Sequence, residues 1–290
     1  MLKEIIRSLR PRQWTKNVFI FTALVFDRQL THIGPLLICL AGFSIFSLVA
    51  GTVYIINDIA DIQSDRMHPR KKSRPIASGH LSIRSAVIAA VLILAVCIPL
   101  SICLSPIFAS IVVFYFVLNL AYSKWLKHIP LVDVLILASD FVLRVAAGVA
   151  LINVERFSPW MYVCMTLLAL YIGFGKRRAE LALLAGNAGE HRKVLDGYSI
   201  PFLDQLITIV SSCTIIAYSF YSFSAPNLPA DHTMMLTIPF VLYGVFRYLY
   251  LIHIKQEGGA PEELVLKDRP LQLTLGLWGL SVIAVFYFNL

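Results

Sequence analysis

GPLLICLAGFSIFSLVAGTVYII, residues 34–56, runs without a break into NDIADIQSDRMHPRKKSRPIASG, residues 57–79. The first half carries no charge and is long enough to cross a bilayer core of about 30 Å, which takes about 20 apolar residues in a helix. The second half opens with Asp58, Asp61 and Asp65 at offsets 0, 3 and 7, which a helix of about 3.6 residues per turn sets on one face. Asn57 stands beside that stripe. Pro69 ends any helix there, and Lys71, Lys72 and Arg74 follow. Three carboxylates on one edge repel one another unless a divalent cation lies among them, and hard oxygen ligands suit Mg²⁺. The basic residues beyond are placed to hold the phosphates that such a metal bridges. A merely solvated loop between two membrane helices has no need of acids in helical register.

The rest of the chain agrees with a membrane setting. Of the 290 residues 58% are hydrophobic and 14% charged, with a mean hydropathy of +0.75. A soluble domain carries about 25% charged residues, so the expectation is an all-α polytopic membrane protein, with residues 1–290 forming one domain. The net charge of +8 is explained by topology and does not indicate a nucleic-acid partner. The start, MLKEIIRSLRPRQWTKN, is basic and amphipathic, without the apolar core and small-residue cleavage site of a secretory signal. It reads as a surface helix at the cytoplasmic headgroups. The five cysteines lie in apolar segments without CxxC spacing and read as packing residues.

Nine spans are expected, near 14–30, 34–56, 82–100, 106–123, 131–151, 159–176, 203–222, 234–254 and 271–289. The first is the weakest, because Asn17 and Asp27 interrupt it. With a cytoplasmic N-terminus, all of the 25 lysines and arginines except Arg28, Arg144, Arg156 and Arg247 fall on the cytoplasmic side or just within it. That is the positive-inside bias, and it predicts an inner-membrane, multi-pass protein with an external C-terminus. The external connections are short and nearly bare, so the chemistry belongs on the cytoplasmic face. Two long charged cytoplasmic loops, 57–81 and 176–202, lie four spans apart as a faint pseudo-repeat.

Further candidates sit at the other cytoplasmic rims. In YSKWLKHIPLVDVLILASDFVLR, residues 122–144, Tyr122 and Lys124 lie at the membrane edge and Asp133 about one turn into the fifth span. Asp140 and Arg144 are spaced to pair, and Asp133 shares their face, so all three are placed to line a polar cavity. A purely structural Asp140–Arg144 pair is the plainer alternative. In GFGKRRAELALLAGNAGEHRKVLDGYS, residues 173–199, Lys176, Arg177 and Glu180 put both signs on one helix face, and Arg192 and Tyr198 follow. Arg269 precedes Pro270 at the mouth of the last span. Arg247 either snorkels to the inner surface or reaches the cavity. So many basic side chains exceed the needs of one diphosphate and point to more than one phosphorylated ligand.

Asn57-Asp58-x-x-Asp61-x-x-x-Asp65 followed by HPRKKSRPIASG resembles the intramembrane UbiA-type prenyltransferases. Within that superfamily, RPRQWTKN (10–17), RPIASG (74–79), YSKWLKHIPLVDV (122–134), GFGKRRAEL (173–181) and KDRP (267–270) are most similar to the decaprenyl-phosphate phosphoribosyltransferase branch. The resemblance spans nearly the whole chain. It implies nine transmembrane helices around a cavity open to the cytoplasm and the lipid, dependence on Mg²⁺, and transfer of phosphoribose from phosphoribosyl pyrophosphate to a polyprenyl phosphate. The second acidic motif of the aromatic prenyltransferases, of DxxxD type, has no plain counterpart, since Asp133 and Asp140 are seven apart.

On this reading Asn57, Asp58, Asp61 and Asp65 hold the metal, and Asp133 joins them as a catalytic candidate. Lys71, Lys72, Arg74, Tyr122, Lys124, Arg144, Lys176, Arg177, Glu180, Arg192, Tyr198 and Arg269 are the expected substrate-binding residues. The chain is expected to act alone or as a homo-oligomer. One rival is an aromatic prenyltransferase on the same scaffold, using a polyprenyl diphosphate and ignoring phosphoribosyl pyrophosphate. Another is an ion-coupled transporter working through Asp133, Asp140 and Arg144, which would need access from both sides of the membrane. The weakest is a lipid-binding scaffold, which has no use for an acidic metal site.

Overall fold

A computed structural model of the chain describes residues 1–67, 71–152, 154, 158–184, 193–226, 228–257, 259 and 261–287. Among them there is no strand. The helices are α1 (Leu2–Ser8), α2 (Thr22–Phe26), α3 (Ile33–Ala60), α4 (Ile62–Met67), α5 (Ile83–Leu104), α6 (Pro106–Lys124), α7 (Val132–Leu151), α8 (Pro159–Leu184), α9 (Ile200–Ser224), α10 (Ile238–His253), α11 (Pro261–Lys267) and α12 (Arg269–Tyr287). Short 3₁₀ segments join several of them. Seven helical segments among the described residues are long and apolar enough to cross a membrane. They cover seven of the expected spans.

The two remaining expected spans are the first and the sixth. The first is a 3₁₀ helix over Pro11–Phe21 followed by the five residues of α2. Pro11 lacks an amide hydrogen, and the buried Asn17 spends its side chain on tertiary bonds described below. The expected span at 159–176 is a helix, α8, but it runs on to Leu184 through the charged Lys176–Glu180 stretch.

The chain divides into two compact units. The first comprises Met1–Val25, Gln29–Lys124 and Leu143–Val154. Here α3 packs on α5, α6 and the 3₁₀ segment, around a core that includes Ile20, Phe46, Val49, Phe108, Val112 and Ala147. A buried polar network threads this core. Arg144 Nε donates to Asn17 Oδ1 at 2.8 Å, Asn17 Nδ2 donates to Ser47 Oγ at 2.8 Å, and Arg144 Nη2 donates to the Tyr115 hydroxyl at 3.2 Å. The guanidinium also lies over the Phe46 and Tyr115 rings. A buried charge is tolerable only with such partners.

The second unit comprises Phe26–Arg28, Trp125–Val142 and Glu155–Leu290. Its main packing is α8 against α9 and α10 against α12, around Val134, Tyr171, Phe174, Leu203, Ile207 and Val245. A second apolar cluster gathers Phe26, Tyr218, Tyr221 and Trp278.

Candidate active site

In the first unit the acidic motif straddles a break between two helices. The α3 ladder closes when the Asp61 N–H reaches the Asn57 carbonyl at 2.9 Å, with Asp61 at φ −95°, ψ 10°. The chain then restarts as α4, and the Asp65 N–H bonds the Asp61 carbonyl at 2.8 Å. Because the break is shallow, residues two turns apart stay aligned. Asp58 and Asp65 are each only 2% exposed, whereas Asn57 and Asp61 are half-buried.

The basic turn is pinned over these acids by apolar anchors. Ile76 and Leu81 are buried with Leu9, Ile55, Ala86 and Ala90, and Arg66 Nε holds the Ala77 carbonyl at 3.1 Å. Ser82 caps α5 by accepting the Ser85 N–H at 3.1 Å, a standard N-terminal cap. The loop so fixed returns Arg74 to the acids. Its Nη1 lies 3.0 Å from Asp58 Oδ1 and 2.6 Å from Asp65 Oδ2. Asp58 Oδ1 also receives Arg10 Nη2 at 2.5 Å. Lys71 and Lys72 are exposed on the 3₁₀ turn before Arg74.

The chemistry of this donor set fits Mg²⁺ in a restricted way. Two carboxylate oxygens already converge on one cationic nitrogen, so the pair is placed to share a positive centre. Among the described residues no group of three or more His, Cys, Asp or Glu side chains gathers as a metal cage. Mg²⁺ commonly uses one or two carboxylates and completes its shell with water and substrate phosphates. Asp58 and Asp65 would supply the protein's share.

In the second unit a different cluster forms at the start of α7. Asp133 is fully buried, and its Oδ2 accepts Arg177 Nε at 2.6 Å while its Oδ1 accepts the Tyr198 hydroxyl at 2.6 Å. The same hydroxyl oxygen accepts the Leu131 N–H at 2.6 Å. Arg177 also pairs with Glu180. Gly173 makes this meeting possible: a Cβ there would fall 2.7 Å from Val134 Cγ1, so only glycine lets α8 approach α7 this closely. One turn along α8 from that contact, Arg177 reaches the residue before Val134. Burial and the Asp133 bond hold the Tyr198 phenol well above its ordinary pKa.

The remaining expected residues are dispersed. Tyr122 is half-buried and Lys124 exposed at the end of α6, and Lys176 is half-buried on α8. Arg269 is exposed at the first position of α12. Arg192 lies outside the described residues. Arg144 takes part in the buried network with Asn17 and Tyr115. Arg247 neither snorkels freely nor stands alone: it holds Asp268 through bonds of 3.1 and 2.7 Å. Two participants escape a reading of the sequence. Arg10 lies 48 positions from Asp58, and Asp204, which holds Arg178 at 2.5 Å, looks like an ordinary helix-surface acid. The available signal for Arg10 is Tyr54 and Asp58 one turn apart on α3, a ring and a carboxylate that together suit one guanidinium.

Known proteins match this architecture. The UbiA prenyltransferase family model matches residues 18–264. The decaprenyl-phosphate phosphoribosyltransferase of Mycobacterium tuberculosis is 30% identical over 100% of this chain and 96% of its own. That of Corynebacterium glutamicum is 29% identical over 98% of this chain and 86% of its own. The structure of a UbiA homolog from Archaeoglobus fulgidus bound to DMAPP and Mg²⁺ superposes with a TM-score of 0.72, at 18% identity, over 98% of this chain and 99% of that one. At that identity the likeness bears on the fold alone. With 247 consecutive positions under the family model, from 18 to 264, and seven helices among the described residues fit to span a bilayer, the chain is an integral membrane protein and belongs to the UbiA prenyltransferase family.

Proposed function

We propose that the chain transfers 5-phosphoribose from phosphoribosyl pyrophosphate to a polyprenyl phosphate of decaprenyl type, releasing pyrophosphate, as a step in making a cell-envelope glycan precursor. The observation that carries this reading is the pair of buried carboxylates, Asp58 and Asp65, sharing one cationic nitrogen beside a basic turn. The end-to-end similarity to the two phosphoribosyltransferases supports the choice of substrates.

Asp58 and Asp65 would hold the metal, with Asn57 and Asp61 beside them at the break between the two helices. Bound Mg²⁺ supplies charge neutralisation at the donor diphosphate. Lys71, Lys72 and Arg74 hold the pyrophosphate oxygens as they take the electron pair of the breaking bond to ribose carbon 1. Lys176 and Arg177 hold the 5-phosphate or the lipid phosphate, with Asp133, Tyr198 and Glu180 orienting the guanidinium. Tyr122, Lys124 and Arg269 add polar contacts to the substrates, and Arg144 braces the core of the first unit through Asn17 and Tyr115. The lipid phosphate is already anionic at neutral pH, so one of its oxygens attacks carbon 1 without a general base. In-line attack inverts that carbon and gives a β-linked lipid phosphoribose.

Residues 1–290 act as one transferase domain, with the cavity and N-terminus cytoplasmic and the polyprenyl tail lying in a groove open to lipid. The test is purified protein in lipid with phosphoribosyl pyrophosphate, polyprenyl phosphate and Mg²⁺. Mass spectrometry should find lipid-linked phosphoribose with the wild type and lose it with Asp58→Ala. Absence of that product from the wild type removes the proposal.

A further inference from the structure

Arg10 stands in an unusual backbone conformation. It precedes Pro11, which already restricts its dihedral angles, yet it lies in the left-handed region at φ 53°, ψ 65°. A non-glycine residue held there costs on the order of 1–3 kcal/mol, and such strain concentrates at working sites. Both of its backbone groups are fixed, the N–H on the Arg7 carbonyl at 3.2 Å and the carbonyl by the Gln13 N–H at 2.8 Å. What this conformation achieves is the aim of the side chain. The guanidinium lies over the Tyr54 ring, 4.7 Å from its centroid, and reaches Asp58 Oδ1 at 2.5 Å.

The charge balance around it is informative. Asp58 and Asp65 are nearly inaccessible, while the Arg10 and Arg74 side chains that hold them keep 29% and 27% of their surface in contact with solvent. Two carboxylates and two guanidiniums make a neutral cluster. A divalent cation entering alone would bring its charge to a place where both carboxylates are already engaged and two cations already sit. A cation entering with a diphosphate changes that balance. Incoming phosphate oxygens would engage the guanidiniums and release the carboxylates that these now hold. The exposed side of Arg10 permits this exchange by side-chain rotation alone, because its backbone is fixed at both ends.

We propose that Arg10 is a positioning and binding residue that closes the Asp58 carboxylate in the donor-free protein and passes to a diphosphate oxygen on loading, so that divalent metal and donor diphosphate bind together. The proposal rests on the metal–diphosphate reading above. Tyr54 supports the closed position by holding the guanidinium against its ring face.

The test is equilibrium dialysis of nanodisc-embedded protein against Mn²⁺, a probe of the Mg²⁺ site, with and without inorganic pyrophosphate, counting retained metal. The wild type should retain Mn²⁺ weakly alone and much more tightly with pyrophosphate. Arg10→Gln should bind Mn²⁺ alone roughly tenfold more tightly than the wild type and lose most of the gain from pyrophosphate. A residue that only supports the fold would not give both changes at once, tighter metal alone and a lost gain from pyrophosphate. Tyr54→Leu keeps the Arg10 charge but removes its ring, so it should shift Mn²⁺ binding in the same direction by a smaller factor, and it stands in if Arg10→Gln does not fold. Pyrophosphate-dependent retention in the wild type, with no tightening of Mn²⁺ alone in the folded variants, would overturn the role of Arg10 and leave the metal–diphosphate reading intact. No retention by the wild type in either arm would remove both.

Discussion

Arg177 and Asp133 form an ion pair that solvent scarcely touches: their side chains are 1% and 0% exposed, and Arg177 Nε lies 2.6 Å from Asp133 Oδ2. Breaking a buried pair by removing one partner costs about 3–5 kcal/mol, because the other charge is left without compensation. Asp133→Ala should therefore lower the unfolding midpoint in detergent sharply, and Arg177→Met should do so comparably. The double variant Asp133→Ala/Arg177→Met should be less unstable than the two losses added together. Additive losses would mean the pair is not coupled in the folded protein.

Tyr198 ties the segment before α9 to the start of α7 through Asp133 and the Leu131 N–H. Tyr198→Phe removes both bonds and leaves Asp133 with one partner fewer. The expected cost is about 1–3 kcal/mol, the usual penalty for stranding a buried polar group. Thermal unfolding of the variant beside the wild type measures it, and an unchanged midpoint would contradict the tie.

Asp268 receives two bonds from Arg247 and also accepts the Leu271 N–H at 2.9 Å, capping α12. The Arg247 bond, ahead of its other influences, holds the Asp268 pKa below the ordinary carboxylate value of about 3.9. A lowered folded-state pKa contributes stability that is complete above the unfolded value and is lost as pH falls through the folded one. Wild-type stability should therefore fall between about pH 5 and pH 3 more steeply than that of Asp268→Asn. The variant should be the less stable of the two at neutral pH. Parallel curves would show that Asp268 does not contribute.

Gly148 marks a backbone crossing. A Cβ there would fall 1.9 Å from the Ile20 carbonyl oxygen and 2.9 Å from its carbon. Gly148→Ala must push α7 away from the Pro11–Phe21 segment, and overpacking of this kind costs about 1–3 kcal/mol or more. Gly276 on α12 has nothing within 4 Å of such a Cβ, so Gly276→Ala should be neutral or stabilising by up to about 1 kcal/mol. Midpoints that rank the two variants the other way would contradict the packing.

Hydropathy located the long apolar helices because lipid demands continuous runs of about 20 residues. The same criterion marks 14–30 only weakly, and there the chain forms a 3₁₀ segment whose Asn17 meets Arg144, 127 positions away. Helical register brought out Asp58 and Asp65 as partners, since an offset of seven survives the shallow break at Asp61. Asp61 sits at the break itself, half-buried, and the sequence carries no mark of that break. Asp133 stands out as an ionisable group inside a span, and Arg177 as part of a helix face that carries both signs. Their pairing depends on the Gly173–Val134 approach, a tertiary contact with no local signature. Arg10 was hidden for the same reason: the charge pattern of the first residues reads as topology until the fold brings them to α3.

A competition between the two donors separates phosphoribosyl transfer from prenyl transfer. Wild-type protein in lipid receives phosphoribosyl pyrophosphate and a prenyl diphosphate in equal amounts, with Mg²⁺, polyprenyl phosphate and an aromatic acceptor, and all products are read by mass spectrometry. Polyprenyl phosphate gaining one phosphoribosyl group, with no prenylated acceptor and with loss of the product in Asp58→Ala and Asp65→Ala, is the predicted result. A prenylated aromatic product with unaltered polyprenyl phosphate would contradict it.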